Sequence, residues 1–278
     1  MRILASWALR QRAIRGDAVT TTFIGIDLAW NVDRNHTGCA VLEGEGPNAR
    51  LMVRSTDVRS MRGVVEFIEC HSTANTVVAI DAPLIVKNDT GQRPCETAIA
   101  RRFGRFGASC HSNSLSRTPR PAGTRLVAEL AQLGFRHQFE LATATKQSGR
   151  WLFEVYPHPA MIVLFGLSRI LRYKKGRVAE KRIGLAQLQQ LVLALARAER
   201  GLVDTEELHR ACAQDLEALR GRSLKEYEDS LDAVFCAYLG YHCWRWGPAR
   251  NEMIGDLATG YIVVPTAASA DAGPNRIA

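Results

Sequence analysis

Closely spaced cysteine pairs are missing from this sequence. Its seven cysteines form an odd set, and no two of them are separated by just two residues. A disulfide framework joins cysteines in pairs, and a zinc ribbon needs paired cysteines at short spacing. The pattern therefore argues against both scaffolds and favours a reducing compartment. We expect a cytoplasmic protein.

Long apolar runs are missing as well. A membrane-spanning helix needs ~20 consecutive apolar residues, and the longest apolar run here, 160–167, is far shorter. The sequence therefore predicts a protein that does not enter the membrane.

Acidic residues are the scarcer charged type. The chain has 28 Asp and Glu residues against 36 Lys and Arg residues, which gives a formal net charge of +8. An excess of positive charge suits a polyanionic partner, and we expect that partner to be a nucleic acid. The composition does not indicate an oligomeric state.

The length and composition are sufficient for one large domain. The chain has 278 residues, of which 46% are hydrophobic and 23% charged, as in ordinary globular proteins. We predict a single domain over 21–265. Residues 1–20 hold four arginines and one acid, and we predict a disordered extension there. The Ala/Ser/Gly-rich residues 266–278 are predicted to form a disordered tail.

Hydrophobic periodicity predicts an α/β fold. The predicted strands are 22–28, 38–43, 49–55, 76–81 and 151–156, with a helix at 61–71 between the third and the fourth. Helices are predicted at 186–200, 204–219 and 223–244, the second starting with Asp204 and Glu207 as a capping box, and a last short strand at 260–264. Three strands, a helix and a strand open the RNase H-like fold. We therefore predict a mixed five-stranded sheet in the order 3-2-1-4-5, flanked by helices.

Two basic stretches accompany this pattern. An insertion at about 84–148 follows strand four, and within it residues 93–125 contain seven arginines and one acid. A second basic cluster occupies 169–182. Placed on the same side of the sheet, the two stretches would form a groove for a polyanion. The candidate phosphate-binding or nucleic-acid-binding residues are Arg93, Arg125, Lys174, Lys175 and Arg177.

Acidic residues inside apolar segments are the candidate catalytic and metal-binding residues. Asp27 interrupts the first apolar run, Asp81 ends the fourth strand, and Asp229 and Asp232 lie one turn apart in the last helix. A buried carboxylate costs several kcal/mol unless a cation or donors satisfy it. A shared divalent cation would satisfy all of them. We predict these four as ligands of Mg²⁺ or Mn²⁺, and Glu154, on strand five, as a further catalytic acid.

Ordinary structural roles remain open for several of these residues. Asp81 could cap a loop, and Asp229 and Asp232 could be solvated positions on the helix flank. Glu154 could pair with Arg93, since buried acids are usually paired. Trp30 could stack on a base or, as we expect, pack in the core.

Five segments together resemble a known family: Gly25-Ile26-Asp27-Leu28-Ala29-Trp30, Ile80-Asp81-Ala82-Pro83-Leu84, Gly91-Gln92-Arg93-Pro94-Cys95-Glu96, Glu154-Val155-Tyr156-Pro157-His158 and Asp229-Ser230-Leu231-Asp232-Ala233. They are similar, in content and order, to the domain of unknown function 429 family, which is described as predicted RNase H-like nucleases. The resemblance spans about 22–264. It implies an RNase H-like fold and a metal-dependent nuclease in which Asp27, Asp81 and Asp232 match the core acids of RuvC-type enzymes, with Asp229 as the second acid of the terminal helix.

The predicted function is therefore hydrolysis of phosphodiester bonds in DNA or RNA by in-line attack of a water, with two Mg²⁺ or Mn²⁺ ions. One alternative is a non-catalytic nucleic-acid or nucleotide-binding module of the same fold. Another is a phosphotransferase of the sugar-kinase and actin type. The latter normally needs a second such domain, for which 278 residues leave no room, and the sequence has no glycine-rich adenosine motif.

Overall fold

The computed structural model describes residues 20–45, 47–137 and 148–267. Nearly all of the predicted extension and tail lie outside them. The strands are β1 (Thr22–Asp27), β2 (His36–Glu45), β3 (Asn48–Arg59), β4 (Thr76–Asp81), β5 (Arg136–His137), β6 (Arg150–Glu154), β7 (Asn251–Asp256) and β8 (Gly260–Pro265). The α-helices are α1 (Ser60–His71), α2 (Pro94–Phe103), α3 (Ala122–Gln132), α4 (Pro157–Phe165), α5 (Val178–Ala194), α6 (Glu206–Cys212) and α7 (Gly221–Trp246).

A mixed central sheet flanked by helices organises the molecule. Its strands lie in the order β3-β2-β1-β4-β6-β5. The pairs β1–β2 and β2–β3 are antiparallel, whereas β1–β4, β4–β6 and β5–β6 are parallel. The prediction of five strands is wrong, because β5 adds a two-residue strand at the edge, too short to give a sequence pattern. A separate antiparallel hairpin, β7–β8, was predicted only in its second strand.

The two faces of β1 and β4 are buried in different layers. Ile24 and Val78 lie in an apolar cluster with residues of α1 and α3. Phe23 and Ala79 lie in a second cluster with residues of α7. Strands covered on both faces read as continuous apolar runs rather than as alternating ones, which explains the pattern of both segments.

Two glycines allow α7 to lie directly on the sheet. A Cβ atom at Gly25 of β1 would lie 2.0 Å from the carbonyl oxygen of Ala233, and one at Gly38 of β2 would lie 2.0 Å from that of Asp229. Any other residue would force the helix away from the strands. This close approach brings the acids of α7 to the end of β1.

The helical half of the chain differs in detail from the prediction. Helix α5 begins at Val178 rather than at 186, and α6 is confined to Glu206–Cys212. The cap of α6 is Thr205, whose Oγ1 accepts a hydrogen bond from the backbone N–H of Leu208 at 3.2 Å. The predicted capping box is therefore wrong. Asp204 instead contacts His209, with 2.6 Å between Oδ1 and Nε2.

The seven cysteines are all free, so no disulfide joins them. None of the helices in the described residues combines the length and the apolar composition that a membrane span needs.

Candidate functional site

Two aspartates meet at the carboxyl end of the parallel strands. Asp27 ends β1, Asp81 ends β4, and the two are direct register partners. Neighbouring strands lie ~4.8 Å apart, so the carboxylates share one edge of the sheet. Their side chains are 12% and 20% exposed respectively. The local cause is the pair of apolar runs, which bury each strand up to its final residue.

The third acid, Asp232, reaches the same edge from α7. Its side chain is fully buried. The hydroxyl of Tyr173 donates a hydrogen bond to Oδ1 at 2.8 Å, and Tyr173 is itself buried. This bond fixes the orientation of the carboxylate and leaves Oδ2 free to contact Lys174.

The ammonium group of Lys174 lies among the three acids. Its Nζ is 2.8 Å from Oδ2 of Asp232, 3.6 Å from Oδ2 of Asp27 and 3.7 Å from Oδ2 of Asp81. The structure thus brings the predicted core acids together, but around a cation that the chain itself supplies. Lys174, predicted as a phosphate-binding residue in a basic groove, is instead the counterion of this acid cluster.

The electrostatics of the acid cluster follow from its burial. Burial raises the pKa of Asp81 to about 8 and that of Asp232 to about 6, against the opposing charge of Lys174. Burial alone would lower the pKa of Lys174, but the surrounding carboxylates hold that pKa well above its usual range. Without a further cation, Asp81 therefore keeps its proton at neutral pH, whereas Asp232 keeps its proton only below about pH 6.

The donor atoms of the acid cluster fit Mg²⁺ or Mn²⁺ in type. Oδ2 of Asp27 is buried without a hydrogen bond, and the ammonium of Lys174 lies 3.6 Å from it. Oδ2 of Asp232 is in ion-pair contact with the same ammonium at 2.8 Å. Carboxylate oxygens are the ligands these cations prefer. Within the described ranges, no three or more His, Cys, Asp or Glu side chains are already at metal-binding spacing. The acids are spaced around an ammonium rather than around a metal.

The fourth predicted ligand, Asp229, lies on α7 beside the acid cluster. It is buried, and its Oδ1 accepts a hydrogen bond from Nζ of Lys225, one turn earlier on the helix. Burial and the charge of Asp27 raise the pKa of Asp229 to about 8. The charge of Asp27 therefore acts on Asp229, but Asp229 is paired with a different cation, Lys225.

Glu154, predicted as a further catalytic acid, and Arg93, predicted as a phosphate-binding residue, pair with each other. Both guanidinium Nη atoms of Arg93 donate to the Glu154 carboxylate, at 2.6 and 2.9 Å, and its Nε donates to Glu96 at 2.8 Å. The backbone N–H of Leu84 adds a hydrogen bond to Glu154. Arg93 is 1% exposed, and each of its three side-chain nitrogens already donates to a carboxylate. The alternative of an internal ion pair is confirmed.

A cleft of about 980 Å³ opens over the acid cluster. Its lining includes Asp27, Asp81 and Asp229. It also includes seven cations, of which Arg93 is engaged by Glu96 and Glu154 and Lys174 is partly buried among the core acids: Arg34, Arg93, Arg172, Lys174, Lys175, Arg222 and Lys225. The basic rim therefore comes from the loop before α5 and the start of α7, and hardly from the arginine-rich stretch 93–125.

The other predicted phosphate-binding residues divide between the cleft and the outer surface. Lys175 lines the cleft, 3.5 Å from Nε2 of His111. Arg125 instead pairs with Asp33 at 3.3 Å, and Arg177 is an exposed residue that precedes α5.

Sequence reasoning missed or misjudged three residues of this cleft. Tyr173 gives no sequence signal, because its bond to Asp232 joins a loop to a helix 59 residues away. His158, in the first turn of α4, has a buried Nδ1 without a hydrogen bond, and burial lowers its pKa to about 3. Trp30, expected in the core, is 63% exposed at the cleft.

One known protein family matches most of the chain. A family model described as "Protein of unknown function (DUF429)" matches residues 25–251. The chain belongs to the DUF429 family. The DUF429 match includes the three core acids, Lys174 and the whole cleft lining except Ile262. No curated protein gives a significant match to this DUF429 chain.

Proposed function

We propose that this DUF429 protein is a metal-dependent nuclease of RNase H-like fold that hydrolyses phosphodiester bonds of DNA or RNA. One observation carries the proposal. Oδ2 atoms of Asp27, Asp81 and Asp232, from two register-paired strand ends and a helix, lie within 3.7 Å of a single nitrogen atom at the floor of an open cleft.

The topology supports the fold part of the proposal. Three antiparallel strands are followed by a helix and by strands parallel to the first, with β1 in the centre of the sheet. In an open α/β sheet, ligands bind outside the carboxyl ends of the strands, where the strand order reverses. Asp27 and Asp81 lie at those ends, on the two strands between which the chain order changes.

The residues of the chain have separable roles in this mechanism. Asp27 and Asp81 would hold Mg²⁺ or Mn²⁺ on the sheet side, and Asp232, oriented by Tyr173, on the helix side. Bound metal supplies an acidified water and stabilises the charge on the leaving oxygen. The cations of the rim, Lys175 among them, attract and hold the phosphate backbone.

A cleavage assay tests the proposal. Labelled single-stranded, duplex and branched DNA and RNA are incubated with the protein and Mg²⁺, Mn²⁺ or EDTA. We expect cleavage with either metal, none with EDTA, and a loss of about 100-fold or more in Asp27→Asn, since even changes outside the ligand shell cost 10–100-fold.

The matched control for this assay is Glu66→Gln. Glu66 lies on α1 and pairs with Arg62 at the surface, so the variant removes one carboxylate away from the cleft and should cleave like the wild type. Cleavage that survives EDTA and Asp27→Asn would contradict the proposal.

One observation favours a second candidate, a non-catalytic nucleic-acid-binding module. The chain already neutralises part of its acid cluster with Lys174, as a binding protein that has no metal would. In that case the same panel would show salt-sensitive binding without cleavage under any metal condition.

A further inference from the structure

Lys174 is held in place by more than its own ion pairs. Its neighbour Tyr173 is anchored by the hydrogen bond to Asp232. Helix α5 also touches the loop backbone, because a Cβ atom at Gly184 would lie 2.7 Å from the carbonyl carbon of Arg172 and 2.8 Å from the backbone nitrogen of Tyr173. The loop that carries Lys174 is therefore packed against a helix on one side and tied to the acid cluster on the other.

The charges of the acid cluster indicate how many metal ions it takes. When ionised, Asp27, Asp81 and Asp232 carry three negative charges, and Lys174 adds one positive charge, so the net charge is −2. A single divalent cation neutralises this. A second divalent cation would leave an excess of two positive charges beside the ammonium, which is costly at low dielectric.

The contacts of the other cations agree with this count. Lys225, the lysine of α7, pairs with Glu228 and Asp229. Arg93 is saturated by Glu96 and Glu154. Within the described part of the chain, Lys174 is the cation whose contacts join all three core acids.

We propose that Lys174 is a built-in cation of the active site that takes the place of one of two metal ions, so that the acid cluster binds a single Mg²⁺ or Mn²⁺. This inference rests on the proposed function and changes its metal count. Lys174 stays beside the acids when the metal binds, and its positive charge faces the cleft where a phosphate would lie.

Counting bound metal tests the inference without any turnover. Wild type, Lys174→Met, Lys174→Arg and Lys175→Met are titrated with Mn²⁺, and free Mn²⁺ is measured by electron paramagnetic resonance at fixed pH and low ionic strength. Methionine preserves much of the apolar stem and removes the charge. Lys175→Met is the matched control, because Lys175 is the next residue and lines the same cleft, while the ion pairs of the three core acids in the described residues are formed with Lys174.

We expect one Mn²⁺ per chain in the wild type, in Lys175→Met and in Lys174→Arg. In Lys174→Met we expect a second Mn²⁺ or a gain of about tenfold or more in affinity for the first, because a like charge a few ångströms from the metal is removed. If Lys174→Met does not fold, the number of Mn²⁺ ions bound per wild-type chain still tests the inference.

The remaining outcomes separate the two proposals. Two Mn²⁺ per wild-type chain, or a folded Lys174→Met that binds Mn²⁺ like the wild type, would overturn the role of Lys174 and leave the nuclease proposal intact. No Mn²⁺ bound by any of the four proteins would overturn the nuclease proposal itself and make Lys174 a structural counterion.

Discussion

The carboxylate of Asp27 has both attractive and repulsive electrostatic interactions with its neighbours. It lies 3.6 Å from Lys174 and beside two further carboxylates. The ammonium attracts it, whereas Asp81, Asp232 and Asp229 repel it, and its charge helps to raise the pKa of all three. When no metal is bound, keeping these carboxyl groups beside Asp27 therefore costs free energy, either as charge repulsion or as forced protonation.

We therefore expect Asp27→Asn to stabilise the metal-free protein, on the order of 1 kcal/mol, the free energy that corresponds to one pKa unit. Lys174 keeps Asp81 and Asp232 as partners, so the variant leaves no stranded charge. Mn²⁺ should raise the melting temperature of the wild type by mass action and that of the variant far less. Thermal melts with and without Mn²⁺ measure both effects.

The opposite pair of results would contradict a metal site. If the metal-free variant were less stable than the wild type, and the wild type did not respond to Mn²⁺, Asp27 would be a structural ion-pair partner of Lys174.

At the scale of residues, the acids were predictable and their partners were not. A carboxylate inside an apolar run stands out in the sequence, as Asp27 and Asp81 do. The partners Lys174 and Tyr173 lie in a loop, and loop residues follow no period that would point to partners far away in the sequence. Lys174 is 93 and 147 positions from the two strand-end acids, and Tyr173 is 59 positions from Asp232. The pair Lys225 and Asp229 was detectable, since a spacing of four places them on one helix face.

Helix α7 is the element that joins the sheet to the site. It carries Asp229 and Asp232 and lies on β1 and β2 at the positions of Gly25 and Gly38. Its long apolar face made the helix predictable. The position at which the helix packs on the sheet was not predictable. A glycine in a strand indicates that another part of the backbone comes close, but it does not show which part.

We expect Gly25→Ala to disturb the packing of α7 on the sheet. The new Cβ atom would meet backbone atoms of Ala233 and Ala237 at 2.0 to 2.8 Å, and backbone cannot move aside as a flexible side chain can. The expected loss of stability is ~1–3 kcal/mol or more, with weaker Mn²⁺ binding because Asp232 moves with the helix. Urea unfolding and a Mn²⁺ titration measure the two effects.

Gly44→Ala is the control on the neighbouring strand. Its Cβ would lie 3.6 Å from the nearest atom, an ordinary contact, so its stability should stay within about 1 kcal/mol of the wild type. Equal stabilities for the two variants would show that α7 does not rest on Gly25.

The short elements were beyond sequence reasoning. Strand β5 has two residues, and β7 runs through Gly255, where φ is +103°. Neither presents the run of alternating or apolar residues that a strand prediction needs. Their place in the fold is set by packing, since residues of β7 and β8 cluster with α2.

For the molecule as a whole, the raised pKa values link stability to pH. Asp81 and Asp229, with pKa values of about 8, keep protons in the folded state at pH values where the unfolded chain has lost them. The stabilisation is present at low pH and is lost as the pH rises through about 8. His158 and His242, with pKa values lowered to about 3 and 4, are neutral in the folded state throughout this range.

Without metal, the melting temperature should therefore fall between pH 7 and pH 8, and less steeply in Asp81→Asn. The shift produced by Mn²⁺ should grow over the same interval, because metal binding needs ionised carboxylates and releases their protons. Calorimetric scans at several pH values, with and without Mn²⁺, give both slopes. A Mn²⁺ shift that is constant with pH would mean that these carboxyls do not bind it.

The exposed indole of Trp30 gives the cleft an optical signal of its own. Trp30 lies at the cleft with its ring edge-on to His111, 6.0 Å between centroids, while the other tryptophans of the described residues are partly buried. A nucleobase that stacks on it would quench its emission. Binding of a nucleic acid could then be followed in the unlabelled protein by fluorescence, with Trp30→Phe as the control that lacks this signal.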